Sequence, residues 1–372
     1  MALTQPIEDY YPVHPLFVNH DIMHCTAGGI KGDYLYSGRA LGITTPYDII
    51  QLHPALMNEF PAICAHYDRI GLNYTNQIIW NLNFEEAQNY SQYERSYFCF
   101  GDTQHHAARN ENWFRVVNYI QANNNFMALA TQLGMRVPKT LSFHSASEVD
   151  ADVLAQLSYP CYLKAIVAVT GVGTFRCESE NELRQFLAYF GPTTPLQIQQ
   201  GLNASTFLNL QYQVTGSRLE RLAATEQLLD GINHQGNRFP TPHNAWYCVE
   251  PMAKWLFSHG MRGIFAFDVA VIKDACGTEY LPVECQPRFN SASYPTMIAK
   301  KLAIQRWQAR AFITRFRSLA ALPIQDLEYN PADQSGIVLV NWGPVLLGKL
   351  LVLIAGTPVQ QQALREELER RL

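Results

Sequence analysis

Excess charge, paired cysteines and long apolar runs are all scarce in this chain, and each scarcity closes off a class of function. Its 28 Lys and Arg against 32 Asp and Glu leave a net charge of −4 over 372 residues. That balance offers no basic footprint for DNA or RNA, so no nucleic-acid partner is expected. Any phosphate site has to be built locally. The eight cysteines (Cys25, Cys64, Cys99, Cys161, Cys177, Cys248, Cys276 and Cys285) are scattered and form no CxxC pair. Zinc spacing is therefore absent, and reduced thiols in a cytoplasmic protein are the expectation. The most apolar stretch, residues 345–355, is interrupted by Gly348 and Lys349. It is shorter than the roughly 20 residues of a membrane-spanning helix, so no membrane partner is expected. The N-terminal MALTQPIEDYYPVHP carries acids and prolines instead of a basic-then-apolar signal pattern. No internal repeat, low-complexity tract or GKS/GKT phosphate-loop ending is found.

What is present reads as globular: 48% hydrophobic and 16% charged residues, in a chain long enough for two or three subdomains. Residues 16–18 form a short apolar run, a first strand that opens into Asn19, His20 and Asp21, with His24 just beyond. The glycine-rich CTAGGIKGDYLYSGRALG (residues 25–42) reads as a flexible loop ending in a helix or loop. Helical spacing runs over residues 113–133, from Phe114, Val117 and Ile120 to Leu129 and Leu133, and stops at Gly134. CYLKAIV (161–167) reads as a buried strand and is followed by the glycine loop TGVGT (170–174). Ser179, with Glu182 three residues on, has the pattern of a capping box. LQIQQGL (196–202) is a strand, and FLNLQYQVTGS (207–217) alternates towards a turn at Gly216. GIFAFDVAVI (263–272) and EYLPVECQ (279–286) are two strands joined by a turn. A helix is expected over about 295–316, with Lys300 and Lys301 on its polar side. Leu364, Leu368 and Leu372, four apart, mark an amphipathic terminal helix.

Two of these strands carry isolated acids. Asp268 sits inside an apolar run and Glu284 at the end of the next strand. An acid in a buried strand bears a large desolvation cost without a partner. Two acids on neighbouring strands meet that cost by sharing a cation, and Mg²⁺ takes carboxylate oxygens together with substrate phosphates. Gln286, two residues past Glu284, shares its sheet face and adds an amide oxygen. The competing reading pairs Asp268 with Arg288 in a buried salt bridge, and spacing alone leaves both open. Lys164 is likewise an isolated charge in an apolar strand, and phosphate is a natural partner. The loop after it offers backbone amides around Gly171 and Gly173 and hydroxyls on Thr170 and Thr174. A plain hairpin turn fits that loop equally well.

The order of these elements resembles the ATP-grasp superfamily, over about residue 122 to the end. NNNFMALATQLGMRVPKT (123–140) resembles the helix and strand that open its nucleotide-binding half. YPCYLKAIVAVTGVGTFR (159–176) resembles its lysine strand and glycine loop, and IQQGLNASTFLNLQYQV (198–214) the hinge beside adenine. GIFAFDVAVI and EYLPVECQPRFN (279–290) resemble the two metal strands. GIVLVNWGPVLLGKLLVLIAG (336–356) resembles the late strand and loop of the carboxylase-like branch. The resemblance implies an α/β (α+β) ATP-grasp fold, in which a small N-terminal α/β domain precedes two subdomains clasping the nucleotide. Its divisions are 1–112, 113–197 for the small subdomain and 198–372 for the large one.

Carried over by position, Lys164 contacts the α- and β-phosphates, and Thr170, Gly171, Gly173 and Thr174 close over them. Gln199, Gln200 and Leu202 form the adenine hinge, and Asn209 stands where the family often has an acid. Asp268, Glu284 and Gln286 hold magnesium, with manganese as an alternative ion. Arg288 steadies the transferred phosphoryl group, and Asn290 lines the same pocket. Three departures accompany this. Asn123, Asn124 and Asn125 occupy the region of the family's second phosphate-binding lysine, Gln199 replaces the hinge acid, and Gln286 replaces the asparagine ligand. The implied activity is an ATP- and Mg²⁺-dependent ligase that activates a carboxylate as an acyl phosphate and joins it to an amine. Its partners are small-molecule carboxylates and amines, and a homodimer stays open. The alternative is a degenerate ATP-binding regulatory or interaction protein. Asn19, His20, Asp21 and His24 are candidates to reach the cleft, with ordinary loop residues the favoured reading; Glu226, Gln227 and His234 in TEQLLDGINHQGNRFP (225–240) either touch substrate or phosphate from a polar loop between strands or belong to a lid or hairpin tip. The pair His105 and His106 reads as solvated.

Overall fold

The computed structural model describes residues 15–23, 31–98, 110–166, 173–230, 233–275 and 277–372. Thr170, Gly171, His24, His105 and His106 lie outside the described residues. The strands gather into three sheets. The first is parallel, in the order β3-β2-β1-β4: β1 is Leu16–Asn19, β2 Ile49–Gln51, β3 Ile78–Ile79 and β4 Glu94–Tyr97. Helix α1 (Phe60–Arg69) and a 3-10 segment (Asp33–Ile43) pack with it.

Helices α2 (Glu111–Ile120) and α3 (Asn123–Gln132) lead into the second sheet, which is antiparallel. It comprises β5 (Thr140–Phe143), β6 (Cys161–Ala165), β7 (Thr174–Cys177) and β8 (Leu196–Gln200), in the order β5-β8-β6-β7. Helices α4 (Ala151–Ala155) and α5 (Glu180–Leu187) belong to the same segment. The single helical pattern over 113–133 is thus two helices. Asn110 caps the first, its side chain accepting from Trp113 N at 3.0 Å. At α5 only half of the expected box forms. Ser179 accepts from Glu182 N at 3.3 Å, but the Glu182 carboxylate takes the N–H of Glu178.

The third sheet has eight antiparallel strands, in the order β13-β12-β9-β10-β11-β14-β16-β15. These are β9 (Thr206–Thr215), β10 (Arg218–Asp230), β11 (Asn233–Phe239), β12 (Gly263–Asp274), β13 (Gly277–Gln286), β14 (Trp307–Ile313), β15 (Gly336–Asn341) and β16 (Lys349–Ala355). Helix α6 (Glu250–Ser258) precedes β12, α7 (Ser293–Lys301) follows β13, and α8 (Pro358–Arg371) ends the chain. β12 is buried on both faces, which explains its nearly continuous apolar run. Phe265, Phe267, Val269 and Val271 join one apolar cluster, while Ile264 joins another on the opposite face. Asp268 projects from that opposite face. The α8 helix starts with a complete capping box, Thr357 with Gln360. Among the described residues no helix is long and apolar enough to cross a membrane.

Another expected element differs. The helix over 295–316 stops at Lys301: Ala303 takes φ 53° and Ile304 N closes back on Ala299 O at 2.8 Å. Residues 307–313 then pair between β11 and β16. Ala, Gln and Arg there favour helix intrinsically, and sheet pairing overrides that preference. Of the two readings of segment 225–240, the hairpin is the one formed, by β10 and β11, pinned by the bidentate, in-register pair Glu226–Arg238.

Lys301 does not face solvent on a polar side. Its ammonium crosses to the N-terminal segment and donates to Gly42 O (3.1 Å), Thr44 O (2.6 Å) and Asn73 O (2.6 Å). Three N–H groups thus meet three carbonyls and tie α7 to the loops around β2. In Lys301→Met those carbonyls lose their donor, so urea unfolding is expected to show a loss of about 1–3 kcal/mol. An unchanged stability would mean that water replaces the ammonium at no cost.

Candidate functional site

Sheet register brings the two acids together. Asp268 on β12 lies directly opposite Glu284 on β13 and opposite Asn209 on β9, and Asn209 in turn faces Thr225 on β10. Directly opposed residues share a face, so these strands present one polar row. The pairing of β12 with β13 slips immediately after Asp268, where Val269 meets Pro282 and Val283 becomes the extra residue. β13 is an edge strand, where a bulge and a proline are both tolerated.

Asp268 is held from three sides. Its Oδ1 accepts from Asn209 Nδ2 and from Gln227 Nε2, each at 2.7 Å, and its Oδ2 accepts from Gln286 Nε2 at 2.9 Å. Burial nevertheless raises its pKa to about 6 against these bonds and the charge of Lys164. Glu284 accepts no hydrogen bond from the described residues. Burial, then the neighbouring Asp268, raises it to about 7, against Lys164 and Arg288. Both side chains keep part of their surface accessible. The direct Asp268–Arg288 salt bridge does not form. Arg288 instead donates to Phe289 O at 3.2 Å, and its guanidinium lies 5.0 Å from the Phe98 ring centroid.

Gln286 donates its amide nitrogen to Asp268, and its Oε1 is buried without a partner. Two carboxylates of raised pKa beside an orphaned amide oxygen are a hard-oxygen donor set, the chemistry that suits magnesium. Among the described residues no group of three or more His, Cys, Asp or Glu could hold a metal ion. A cation here would therefore need donors from a bound molecule to complete its shell.

Lys164, on β6, is 8% exposed and donates to Gln199 Oε1 at 2.8 Å. Burial lowers its pKa, while Glu284 and then Asp268 raise it, which places the ammonium in the field of the acids. Gln199 also donates to Thr140 Oγ1 at 3.2 Å. The acceptor expected to face adenine is thus turned to the lysine. Thr174 sits directly across from Lys164, and Gly173 O accepts from Ala165 N at 2.8 Å. Gln200 is exposed, and Leu202 lies just beyond β8. Between them, Gly201 donates to Pro160 O at 2.8 Å, and a Cβ there would lie 2.4 Å from that oxygen, so the hinge turn requires glycine.

Asn290 spends its side chain locally. Its Oδ1 accepts from Ala292 N and Ser293 N at the start of α7, and its Nδ2 donates to Asn209 Oδ1 at 3.3 Å. Asn123 and Asn124, in the place of the family's second lysine, donate to Ala165 O and to Phe143 O and Leu196 O. They dock α3 on the second sheet. His20 reaches towards the site: Nδ1 meets Tyr294 OH at 2.9 Å and Nε2 meets Ser96 Oγ at 3.0 Å. Burial and the charge of Arg39 hold it well below its usual pKa. His234 meets Asn237 Oδ1 at 2.7 Å. Sequence reasoning missed Arg39 and Gln197. Gln197 is fully buried opposite Lys164, with both amide atoms unpartnered. The strand pattern did carry a signal, since Gln197 and Gln199 alternate on one face beside Lys164.

For both carboxylates the folded pKa lies above the unfolded value. Each therefore stabilises the metal-free protein fully below about pH 4, and that contribution is lost as pH rises through about 6 for Asp268 and about 7 for Glu284. The melting temperature of metal-free protein is expected to fall between about pH 4 and pH 7, and the fall should shrink in Asp268→Asn/Glu284→Gln. An identical slope in the double variant would remove these acids as its cause.

No protein-family model and no curated protein sequence matches the chain. Solved structures do. An N5-carboxyaminoimidazole synthetase from Staphylococcus aureus complexed with ADP superposes with TM-score 0.60 at 11% identity, covering 96% of this chain and 97% of that one. An L-amino acid ligase from Bacillus licheniformis gives 0.56 at 11%, covering 97% and 98%. A carboxyaminoimidazole ribonucleotide synthase from Aspergillus clavatus, complexed with ATP, gives 0.54 at 12%, covering 85% and 97%. With these neighbours along most of its length, and with its mixed parallel and antiparallel sheets, the chain has the ATP-grasp fold.

Proposed function

We propose that this protein is an ATP- and magnesium-dependent ligase that activates a carboxylate as an acyl phosphate and joins it to an amine. The observation that carries the reading is the facing, buried pair Asp268 and Glu284 with raised pKa values, and Lys164 and Arg288 acting on both. The neighbours support it from outside, being a synthase in complex with ATP, a synthetase in complex with ADP and an L-amino acid ligase. The three sheets correspond in this reading to an N-terminal unit, 1–112, and two nucleotide-clasping subdomains, 113–197 and 198–372.

Asp268, Glu284 and the free Oε1 of Gln286 would hold the metal. Magnesium, or manganese in its place, supplies charge neutralisation on the transferred phosphoryl group when bound. Lys164 exchanges its bond to Gln199 for the α- and β-phosphates. That frees Gln199, with the backbone of Gln200 and Leu202, to receive adenine. Thr170, Gly171, Gly173 and Thr174 cover the phosphates and keep water from the acyl phosphate. Arg288 orients the reacting carboxylate and then offsets the charge of the tetrahedral intermediate. Asn209 and Asn290 act one step back: Asn209 positions Asp268, and Asn290 positions Asn209.

A second reading, a nucleotide-binding regulatory protein without ligase activity, is favoured by Asn123 and Asn124, whose side chains are committed to backbone carbonyls where a phosphate lysine would stand. Phosphate release with ATP, magnesium and pools of amino acids separates the two. Ligase activity predicts stimulation by at least one pool. A rise in melting temperature with ATP but no stimulated turnover would leave the regulatory reading standing alone.

Two variants probe the site. Glu284→Gln is expected to abolish nearly all turnover and weaken metal binding with little loss of fold, and normal activity would refute the metal assignment. Lys164→Ala should raise the ATP concentration needed for half-maximal rate at least tenfold, on the order of 1.4 kcal/mol. An unchanged ATP dependence would return Lys164 to a purely structural role beside Gln199.

A further inference from the structure

Arg39 stands in the 3-10 segment of the N-terminal unit and is 7% exposed. Its Nε and Nη2 are buried with no hydrogen-bond partner. Arginine cannot escape that condition by losing its proton. Aromatic faces surround it: the guanidinium carbon lies 4.2 Å from the Phe98 centroid, 4.6 Å from Tyr294 and 5.4 Å from Tyr36. Ring faces hold a cation by about 0.5–2 kcal/mol but do not satisfy its directional N–H groups. No carboxylate of the described residues forms an ion pair with it. His20 does not serve it either, since both ring nitrogens are engaged with Tyr294 and Ser96.

Arg288 packs on the same Phe98 ring, 5.0 Å from its centroid, and likewise lacks an acidic partner within ion-pair distance among the described residues. Two guanidiniums from different parts of the chain thus converge on one ring, Arg39 with no acceptor on Nε or Nη2 and Arg288 with no carboxylate in direct contact among the described residues. A small cavity of about 30 Å³ is lined by Arg288, Phe98, Ser96 and Phe289. It shares Ser96, Trp113, Gly263, Ile264 and Phe289 with a neighbouring cleft of about 630 Å³. The cleft's volume accommodates a small molecule; Arg39 lines neither space and adjoins the smaller one through the Phe98 ring.

We propose that Arg39 is a specificity-determining residue that binds an anionic group, a carboxylate or a phosphate, on a small molecule seated between the N-terminal unit and Arg288. The proposal rests on the ligase reading only for the role of that molecule as substrate. The anion site itself is separate from the phosphates of ATP. The substrate pair therefore carries an anionic group beyond the carboxylate that reacts.

Melting curves at matched ionic strength, with sodium phosphate and sodium succinate as probes and no nucleotide, test this. Wild type is expected to gain stability with at least one probe. A response to phosphate alone assigns a phosphate ester, and one to succinate alone assigns a dicarboxylate. Arg39→Met should bind that probe at least tenfold more weakly, Arg39→Lys should fall between, and Lys164→Met should respond like wild type. The proposal is overturned if wild type responds to neither probe, if Arg39→Met responds equally, or if Lys164→Met abolishes the response and so places the anion in the nucleotide pocket. Should Arg39→Met not fold, equal responses of Arg39→Lys and wild type overturn it instead. Failure of the ligase reading appears elsewhere, as absence of stimulated phosphate release, and leaves the anion response in place.

Discussion

Two carboxylates facing each other across an edge bulge set the terms for the rest of this molecule. Asp268 and Glu284 are adjacent in register, and burial raises both pKa values. Three amides from three different strands converge on Asp268 alone. Like charges brought so close are unfavourable unless positive charge is near. The protein supplies Lys164 from the second sheet and Arg288 from the loop after β13. The site is thus assembled from two sheets, and the charges of one offset those of the other.

The polar row shows how a sheet can carry a site without losing its core. β12 buries aromatic and β-branched residues on one face, and on the other it passes an acid beneath a line of amides. Each amide has a donor and an acceptor, so a chain of them can relay polarity between Asp268 and Asn290 with few unsatisfied groups. Gln286 Oε1, both amide atoms of Gln197, and Nε and Nη2 of Arg39 are buried without a hydrogen-bond partner.

Much of this was legible in the sequence, for a physical reason. Charged residues inside apolar strands are rare because they are costly, so Lys164, Asp268 and Glu284 stood out against their own surroundings. Element order along the chain pointed to the fold. What could not be read was anything that depends on distant partners. Arg39 lies in a glycine-rich stretch with no periodicity, and its isolation exists only once Phe98 and Tyr294 surround it. Lys301 looked like a solvated helix lysine, because its three carbonyls come from loops more than 220 residues earlier. Residues 307–313 carry helix-forming side chains, and only β11 and β16 on either side make them a strand. Asn290 read as a pocket residue, while the backbone it caps was invisible in the sequence.

The edge position of β13 has a consequence for the life of the protein among its own copies. An unpaired strand edge is a template on which another chain can add a strand, and eight antiparallel strands end on this one. Pro282 removes one N–H from that edge, and the bulge beside it twists the remaining donors out of line. A strand from a second molecule finds no continuous ladder to join, so the side of the sheet that carries Glu284 resists the edge-to-edge pairing that begins aggregation.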